Sequence, residues 1–382
     1  MFYLSLYIAY LTNLILRFFK LGAGMTLPGF YALKIYPQLL NNSKINFKNG
    51  VIVVSGTNGK TTTSKLITHM LNKKGFKVLN NSSGANVLNG IASAILLNTS
   101  VTGKVKSDIA VLEVDEFFLP SVLKHLNPHT VVLLNLSRDQ LDRYGEVDIV
   151  YEKWKAALSE INQTQTVVFT DSTQSVFKDI KDYFRGKVIE FGDSGELLKS
   201  TSLVGYYNAK NVNAAFAVCR QTGLEEDEIV RALHDFEPAY GRGEEVMLGE
   251  IKIKILLAKN PASFNTNLDV LISKEIDPDA VCILLNDNIP DGRDVSWIFD
   301  IDSEKFKIAL EGREIFISGN RYRDMAVRLK YAEVLVEENN CSKNYQKILD
   351  RIKVSGYKNV LVLPNYSSML EVRKILTGKK IL

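Results

Sequence analysis

Cysteine and histidine are scarce in this sequence, at three and four residues among 382. Cys219, Cys282 and Cys341 fit no disulfide framework and no zinc-ligand spacing. They read as reduced thiols, which suits a cytoplasmic chain. The four histidines sit in no recognisable triad. An excess of one charge is also lacking: 47 basic against 43 acidic residues leave a net +4, with no long basic run and no basic–aromatic stripe. A nucleic-acid partner is therefore not expected. Nor is there an apolar run of spanning length. Phe2–Leu16 is uncharged but is interrupted by Ser5, Thr12 and Asn13, and a spanning helix wants about 20 apolar residues. Its positive charges, Arg17 and Lys20, follow the apolar stretch, the reverse of a signal peptide. A helix packed on the protein is the first reading, and a helix resting on the inner face of the membrane is the second.

What is present is ordinary folded-protein composition, 46% hydrophobic and 24% charged, in a chain long enough for two domains. Short β-branched runs alternate with helix-length segments. Val51–Val54, Ile109–Val114, Val131–Leu136, Val167–Thr170 and Val188–Phe191 form a first strand series. Ile251–Ala258, Val281–Leu285, Ile315–Ser318 and Val360–Leu363 form a second. Mostly continuous apolarity predicts strands buried on both faces of a parallel sheet, with helices such as Thr61–Lys74 and Val150–Glu160 as crossovers. The expected organisation is an N-terminal apolar helix and lead-in over 1–45, an α/β nucleotide-binding domain over 46–240, and a smaller Rossmann-like domain over 241–382. The join is set near Glu237–Gly243, where proline, glycine and charge rise.

The densest chemical signal is Ser55-Gly56-Thr57-Asn58-Gly59-Lys60-Thr61-Thr62-Thr63. A buried strand runs into a glycine turn, and a Lys-Thr pair opens a helix. Such a turn curls backbone N–H groups around a phosphate, and the helix N-terminus adds positive potential. Lys60 can reach β- and γ-phosphates, and the Thr61 hydroxyl can ligate magnesium. Only two residues separate Gly56 from Gly59. This compact form resembles the Mur ligases and folylpolyglutamate synthases. That resemblance implies an ATP site built from Gly56, Thr57, Asn58, Gly59, Lys60, Thr61 and Thr62 inside a Mur-ligase-type, mostly parallel central sheet.

Further segments follow in the order of that superfamily. Leu112-Glu113-Val114-Asp115-Glu116 ends a strand where the resemblance places a magnesium-binding glutamate, and Glu113 is the match; a solvated loop carboxylate is its other reading, and a stronger one for Asp115 and Glu116. Asn135 to Gly145 resembles a segment with a metal-contacting histidine, but Gln140 stands in its place and is a poorer ligand. Tyr207-Asn208-Ala209-Lys210-Asn211 resembles the segment whose asparagines contact adenine, which implies Asn208 and Asn211; asparagines at a helix start also serve as caps. Gly241-Arg242-Gly243-Glu244 resembles the junction whose guanidinium swings onto phosphate, which implies Arg242. The carbamylated lysine of some relatives would fall at Lys155 or its neighbour Lys153, an assignment left open.

The last third is similar to the MurT family in Lys259-Asn260-Pro261, in Asn286-Asp287 through Asp291-Gly292-Arg293-Asp294-Val295-Ser296-Trp297, in Arg323-Asp324-Met325-Ala326 and in Leu363-Pro364-Asn365-Tyr366. MurT chains pair with GatD, a glutamine amidotransferase, and amidate the α-carboxylate of D-glutamate in lipid II to D-isoglutamine with ATP. The resemblance therefore implies ATP and Mg2+, a GatD-like partner and a muropeptide acceptor. It also implies a carboxylate that completes the partner's Cys–His pair, for which Asp324 is the candidate, a helix cap being its other reading; Asp287, Asp291 and Asp294 are alternatives for substrate or metal contact without assigned roles. Many relatives hold a four-cysteine zinc ribbon near 171–202, where this sequence has no cysteine, so no zinc is expected. A stand-alone Mur or folylpolyglutamate-type amino-acid ligase is the alternative, opposed by Gln140 and by the C-terminal third.

Overall fold

The computed structural model describes residues 1–19, 26–81, 85–137 and 147–378. Six strands form the first sheet: β1 Val51–Ser55, β2 Val78–Asn80, β3 Ile109–Val114, β4 Thr130–Leu133, β5 Val167–Asp171 and β6 Lys187–Phe191. Their order is β2-β3-β1-β4-β5-β6, and every pairing is parallel. β1, β3 and β4 are buried along their whole length, because helices cover both faces. Leu66, Ile67, Met70 and Leu71 of the Lys60–Lys73 helix pack on one side, and Ile91, Ile95, Leu158 and Trp154 on the other.

The second sheet comprises β7 Arg242–Leu248, β8 Ile251–Leu256, β9 Ala280–Leu284, β10 Glu314–Ser318, β11 Cys341–Ser342 and β12 Asn359–Pro364, in the order β11-β10-β9-β12-β8-β7. All of its pairings are parallel except β7 with β8, a hairpin bulged between Arg242 and Glu244. The fold is thus the expected α/β architecture with a mostly parallel first sheet and a second sheet after it. The short strands β2 and β11 and the polar edge strand β7 are additions to the sequence reading. β4 stops at Leu133, three residues before the end expected from apolarity alone.

In the first sheet a topological switch occurs near the middle: the neighbouring strands β1 and β4 send their connections to opposite sides. Open α/β sheets gather ligands in the crevice at the carboxyl ends there. The N-terminal helix Phe2–Phe18 packs one face, with Phe2, Leu6 and Ala9 buried against Ala32, Leu39 and Leu96. Among the described residues no helix is long and apolar enough to cross a membrane.

Candidate functional site

The turn after β1 needs its glycines. Gly59 has φ +88° as the N-cap of the Lys60–Lys73 helix, and a Cβ there would stand 2.2 Å from Asn211 Oδ1. Gly56 has φ +144°, with the Asn135 carbonyl oxygen 2.9 Å from where its Cβ would be. The exit of β4 holds this turn in shape. Asn58 N donates to Asn135 Oδ1 and Asn135 Nδ2 returns a bond to the Asn58 carbonyl, each at 2.9 Å. Thr57 N donates to the Asn135 carbonyl at 2.9 Å, and Thr57 Oγ1 accepts from Ser137 N at 3.0 Å. Asn135, quoted above only as part of a motif, is the structural clamp of the turn.

Lys60 is buried and turned into its own loop. Its Nζ donates to the Gly56 carbonyl, to the Thr57 carbonyl at 3.2 Å and to Glu116 Oε2 at 2.8 Å. Glu116 is therefore no solvated loop carboxylate. It is 4% exposed, and its carbonyl accepts from Trp154 Nε1 at 2.6 Å. The pairing spans 56 residues of sequence, which is why spacing did not disclose it. Glu113, at the end of β3, is buried and fixed by Asn81, which accepts from Glu113 N at 2.7 Å and donates to its carbonyl at 2.8 Å.

Asn208 and Asn211 lie inside the Tyr206–Gln221 helix, whose N-cap is Gly205, so neither caps it. Asn211 Nδ2 donates to Asn208 Oδ1 at 3.0 Å, and Asn211 Oδ1 accepts from Thr63 Oγ1 at 3.3 Å. The pair fastens this helix to the phosphate-loop helix. Two contacts cross from the second sheet to the loop: Arg242 Nη2 donates to Thr61 Oγ1 at 3.1 Å, and Asn260 Nδ2 to Asn58 Oδ1 at 3.4 Å. Glu244 anchors the same junction, accepting from Arg373 Nε at 3.0 Å and 3.1 Å and from Gly241 N at 3.2 Å. Arg242 is thereby carried by the second sheet.

Between these elements lies a cavity of about 470 Å³ lined by Asn58, Gly59, Thr62, Asn208, Asn211 and Arg242 among others, with Lys259 and Thr266 on the side of the second sheet. Its size is that of a small-molecule site. Gly56, Thr57, Lys60, Thr61 and Glu113 are not part of that lining; they sit at or beneath the turn. Tyr366, which the sequence reading did not single out, lies outside that lining but near enough to Arg242 and Glu113 to feel their charge. Burial raises its phenol pKa; Arg242 opposes that shift, and the carboxylates of Glu113 and Asp291 add to it. Thr61 and Glu113 offer a hydroxyl and a carboxylate, hard oxygen donors that fit magnesium shared with phosphate oxygens. Among the described residues no group of three or more His, Cys, Asp or Glu could hold a metal.

Asp324 lies apart from the cavity. The helix that carries it starts at Tyr322, so Asp324 is in the first turn and not the cap. Arg321 holds it through two bonds of 2.9 Å and also reaches Asp287 at 3.4 Å. Lys155 pairs with Asp179 at 2.7 Å and Glu152 at 3.2 Å, and those hydrogen bonds raise its pKa. Lys153 stands 4.6 Å from the Phe117 ring centre. Gln140 and the rest of 138–146 lie outside the described residues.

Comparisons with known proteins agree with this fold. The family model for the Mur ligase middle domain matches residues 54–197, and the model for the MurT ligase C-terminal region matches 257–369. The chain is 30% identical to the Staphylococcus aureus "Lipid II isoglutaminyl synthase (glutamine-hydrolyzing) subunit MurT" over 91% of each chain. It is 27% identical to the Streptococcus pneumoniae protein of that name over 95% of this chain and 94% of the other. Among solved structures, MurF ligase from Thermotoga maritima in complex with ADP superposes with a TM-score of 0.68 at 16% identity, over 90% of this chain and 82% of that one.

Proposed function

The chain belongs to the MurT family of ATP-dependent ligases, and on that premise we propose that it amidates the α-carboxylate of D-glutamate in the stem peptide of lipid II. The observation that carries the reading is the glycine turn at the end of β1, with Gly59 opening the Lys60–Lys73 helix beside the nucleotide-sized cavity. A carboxylate is a poor electrophile at neutral pH. Transfer of the γ-phosphoryl group of ATP onto it gives an acyl phosphate and ADP. Ammonia then attacks the carbonyl carbon, phosphate leaves, and the product is D-isoglutamine.

In this scheme the backbone N–H groups at the start of the Lys60–Lys73 helix, Gly59 to Thr62, cradle the phosphates, and Lys60 leaves Glu116 to neutralise charge in the transferred group. Asn208 and Asn211 border the base, and Arg242 approaches the phosphates as the two sheets close on the nucleotide. Thr61 and Glu113 would hold magnesium, which when bound neutralises charge on the phosphate oxygens.

The curated relatives are named as subunits of a larger synthase, which supports a partner for this chain. We take that partner to be a GatD-like glutaminase that supplies ammonia, with Asp324 orienting its catalytic histidine. The lipid-linked acceptor places the reaction at the inner face of the membrane. Free ammonium salts offer the test. The purified chain with ATP, magnesium and lipid II should form isoglutaminyl product from ammonium alone, and from glutamine only after a GatD-like protein is added. Product that requires an added amino acid in place of ammonia would point to a stand-alone amino-acid ligase.

A further inference from the structure

The Phe2–Phe18 helix buries one face and leaves the other bare. Leu4, Tyr7, Leu11, Leu14 and Phe18 recur at spacings of three and four and are all exposed, Leu14 at 65% and Phe18 at 79%. The adjoining Leu27–Ile35 helix adds exposed Phe30 and Tyr31. An apolar stripe of this length on a water-facing surface marks an interaction site. At 17 residues the described helix is about 25 Å long, shorter than the roughly 30 Å hydrocarbon core of a bilayer.

Its surroundings specify the occupant. Residues 1–107 contain twelve Lys and Arg and no Asp or Glu, whereas the remainder holds 35 basic against 43 acidic residues. Arg17, Lys34, Lys44 and Lys104, all exposed, belong to this acid-free part of the chain. Lys44 Nζ stands 5.2 Å from the Tyr3 ring centre on the stripe's border. The Tyr3 and Tyr7 hydroxyls donate to the carbonyls of Thr102 and Val101 at 3.3 and 3.4 Å. Their rings are exposed beside the leucines while their polar ends are held on the protein. Amphipathic rings, an apolar stripe and bordering positive charge are what the headgroup layer of an anionic bilayer binds.

We propose that the Phe2–Phe18 helix lies flat in the headgroup region of an anionic membrane and docks the enzyme there, its exposed stripe inserted and Arg17, Lys34, Lys44 and Lys104 facing lipid phosphates. The proposal goes beyond the ligase reading and rests on separate residues, so either can fail without the other.

Flotation of the full chain with vesicles tests it. Binding is expected to vesicles of phosphatidylcholine mixed with phosphatidylglycerol, to weaken as salt is raised, and to be poor with phosphatidylcholine alone. Leu11→Ser with Leu14→Ser and Phe18→Ser, and separately Arg17→Glu with Lys34→Glu, should each weaken partitioning by about tenfold or more. Turnover on detergent-dispersed lipid II should stay that of the parent, which also reports intact folding. Equal binding to both vesicle types, or none to either, would overturn the proposal. So would a stable dimer that the serine variant dissociates, since a second copy would then cover the stripe.

Discussion

At the exit of β4, Asn135 exchanges two hydrogen bonds with the backbone of Asn58; at the exit of β12, Asn365 does the same with Asn286, accepting from its N at 3.2 Å and donating to its carbonyl at 2.7 Å. In each sheet a side-chain amide extends the pairing past the end of two neighbouring central strands. The finish differs. Above the first sheet, glycines at positive φ open the backbone toward a cavity. Above the second, side chains fill the centre: Asn286 Oδ1 accepts from the Tyr345 hydroxyl at 3.0 Å and from Asn320 N at 2.8 Å, while Asn286 Nδ2 donates to Ser367 Oγ at 3.2 Å. Carboxylates stand around that plug, with Asp287 and Asp324 on Arg321 and Asp291 on Ser367. One plan thus yields an anion cradle in one sheet and a closed, acid-rimmed crest in the other. On the proposed reading the cradle takes the nucleotide and the acid rim serves the partner.

The largest effect that would sharpen this contrast is at the rim. If Asp324 serves the partner's histidine, Asp324→Asn should lower glutamine-dependent amidation by on the order of 10³-fold or more and leave ammonium-dependent amidation unchanged. Equal loss with both nitrogen sources would return Asp324 to a structural pairing with Arg321. In the cradle, Lys60→Ala should cut kcat by about 100- to 1,000-fold with either source. Unchanged turnover would reduce the chain to a scaffold.

Gly59→Ala is next. The left-handed conformation costs about 1–2 kcal/mol, and the added methyl drives into Asn211, so nucleotide affinity measured by calorimetry should fall about tenfold. Asn135→Ala and Asn365→Ala should each destabilise the fold by about 1–3 kcal/mol in urea titration, but only Asn135→Ala should also weaken nucleotide binding. The smallest effect concerns Lys155. Asp179 and Glu152 raise its pKa, so it stays protonated and unreactive toward carbon dioxide well above neutral pH. Lys155→Arg should therefore keep full activity, with no response to added bicarbonate.

The contrast between the crests also marks what the sequence disclosed. The cradle was legible because its parts are adjacent: strand, glycine turn, lysine and helix run consecutively from Val51 to Lys73. The continuous apolar strands were legible for a similar reason, since burial on both faces leaves a run of one residue class. β7 was not, because an edge strand reading Arg-Gly-Glu-Glu-Val-Met-Leu is polar on its open side. The Glu116 pairing, the Asn135 clamp and the approach of Tyr366 to Glu113 and Asp291 depend on chain segments brought together only by folding. A carboxylate three residues past Glu113 looks solvated until the Lys60 ammonium and Trp154 are placed around it.

The central claim is that the cradle passes a phosphoryl group to the acceptor's acid. Lipid II carrying ¹⁸O in the D-glutamate α-carboxylate tests it directly in a single incubation with ATP and ammonium. The account predicts one labelled oxygen in the inorganic phosphate for each amide formed. Amide that accumulates with unlabelled phosphate, or without consumption of ATP, would contradict it.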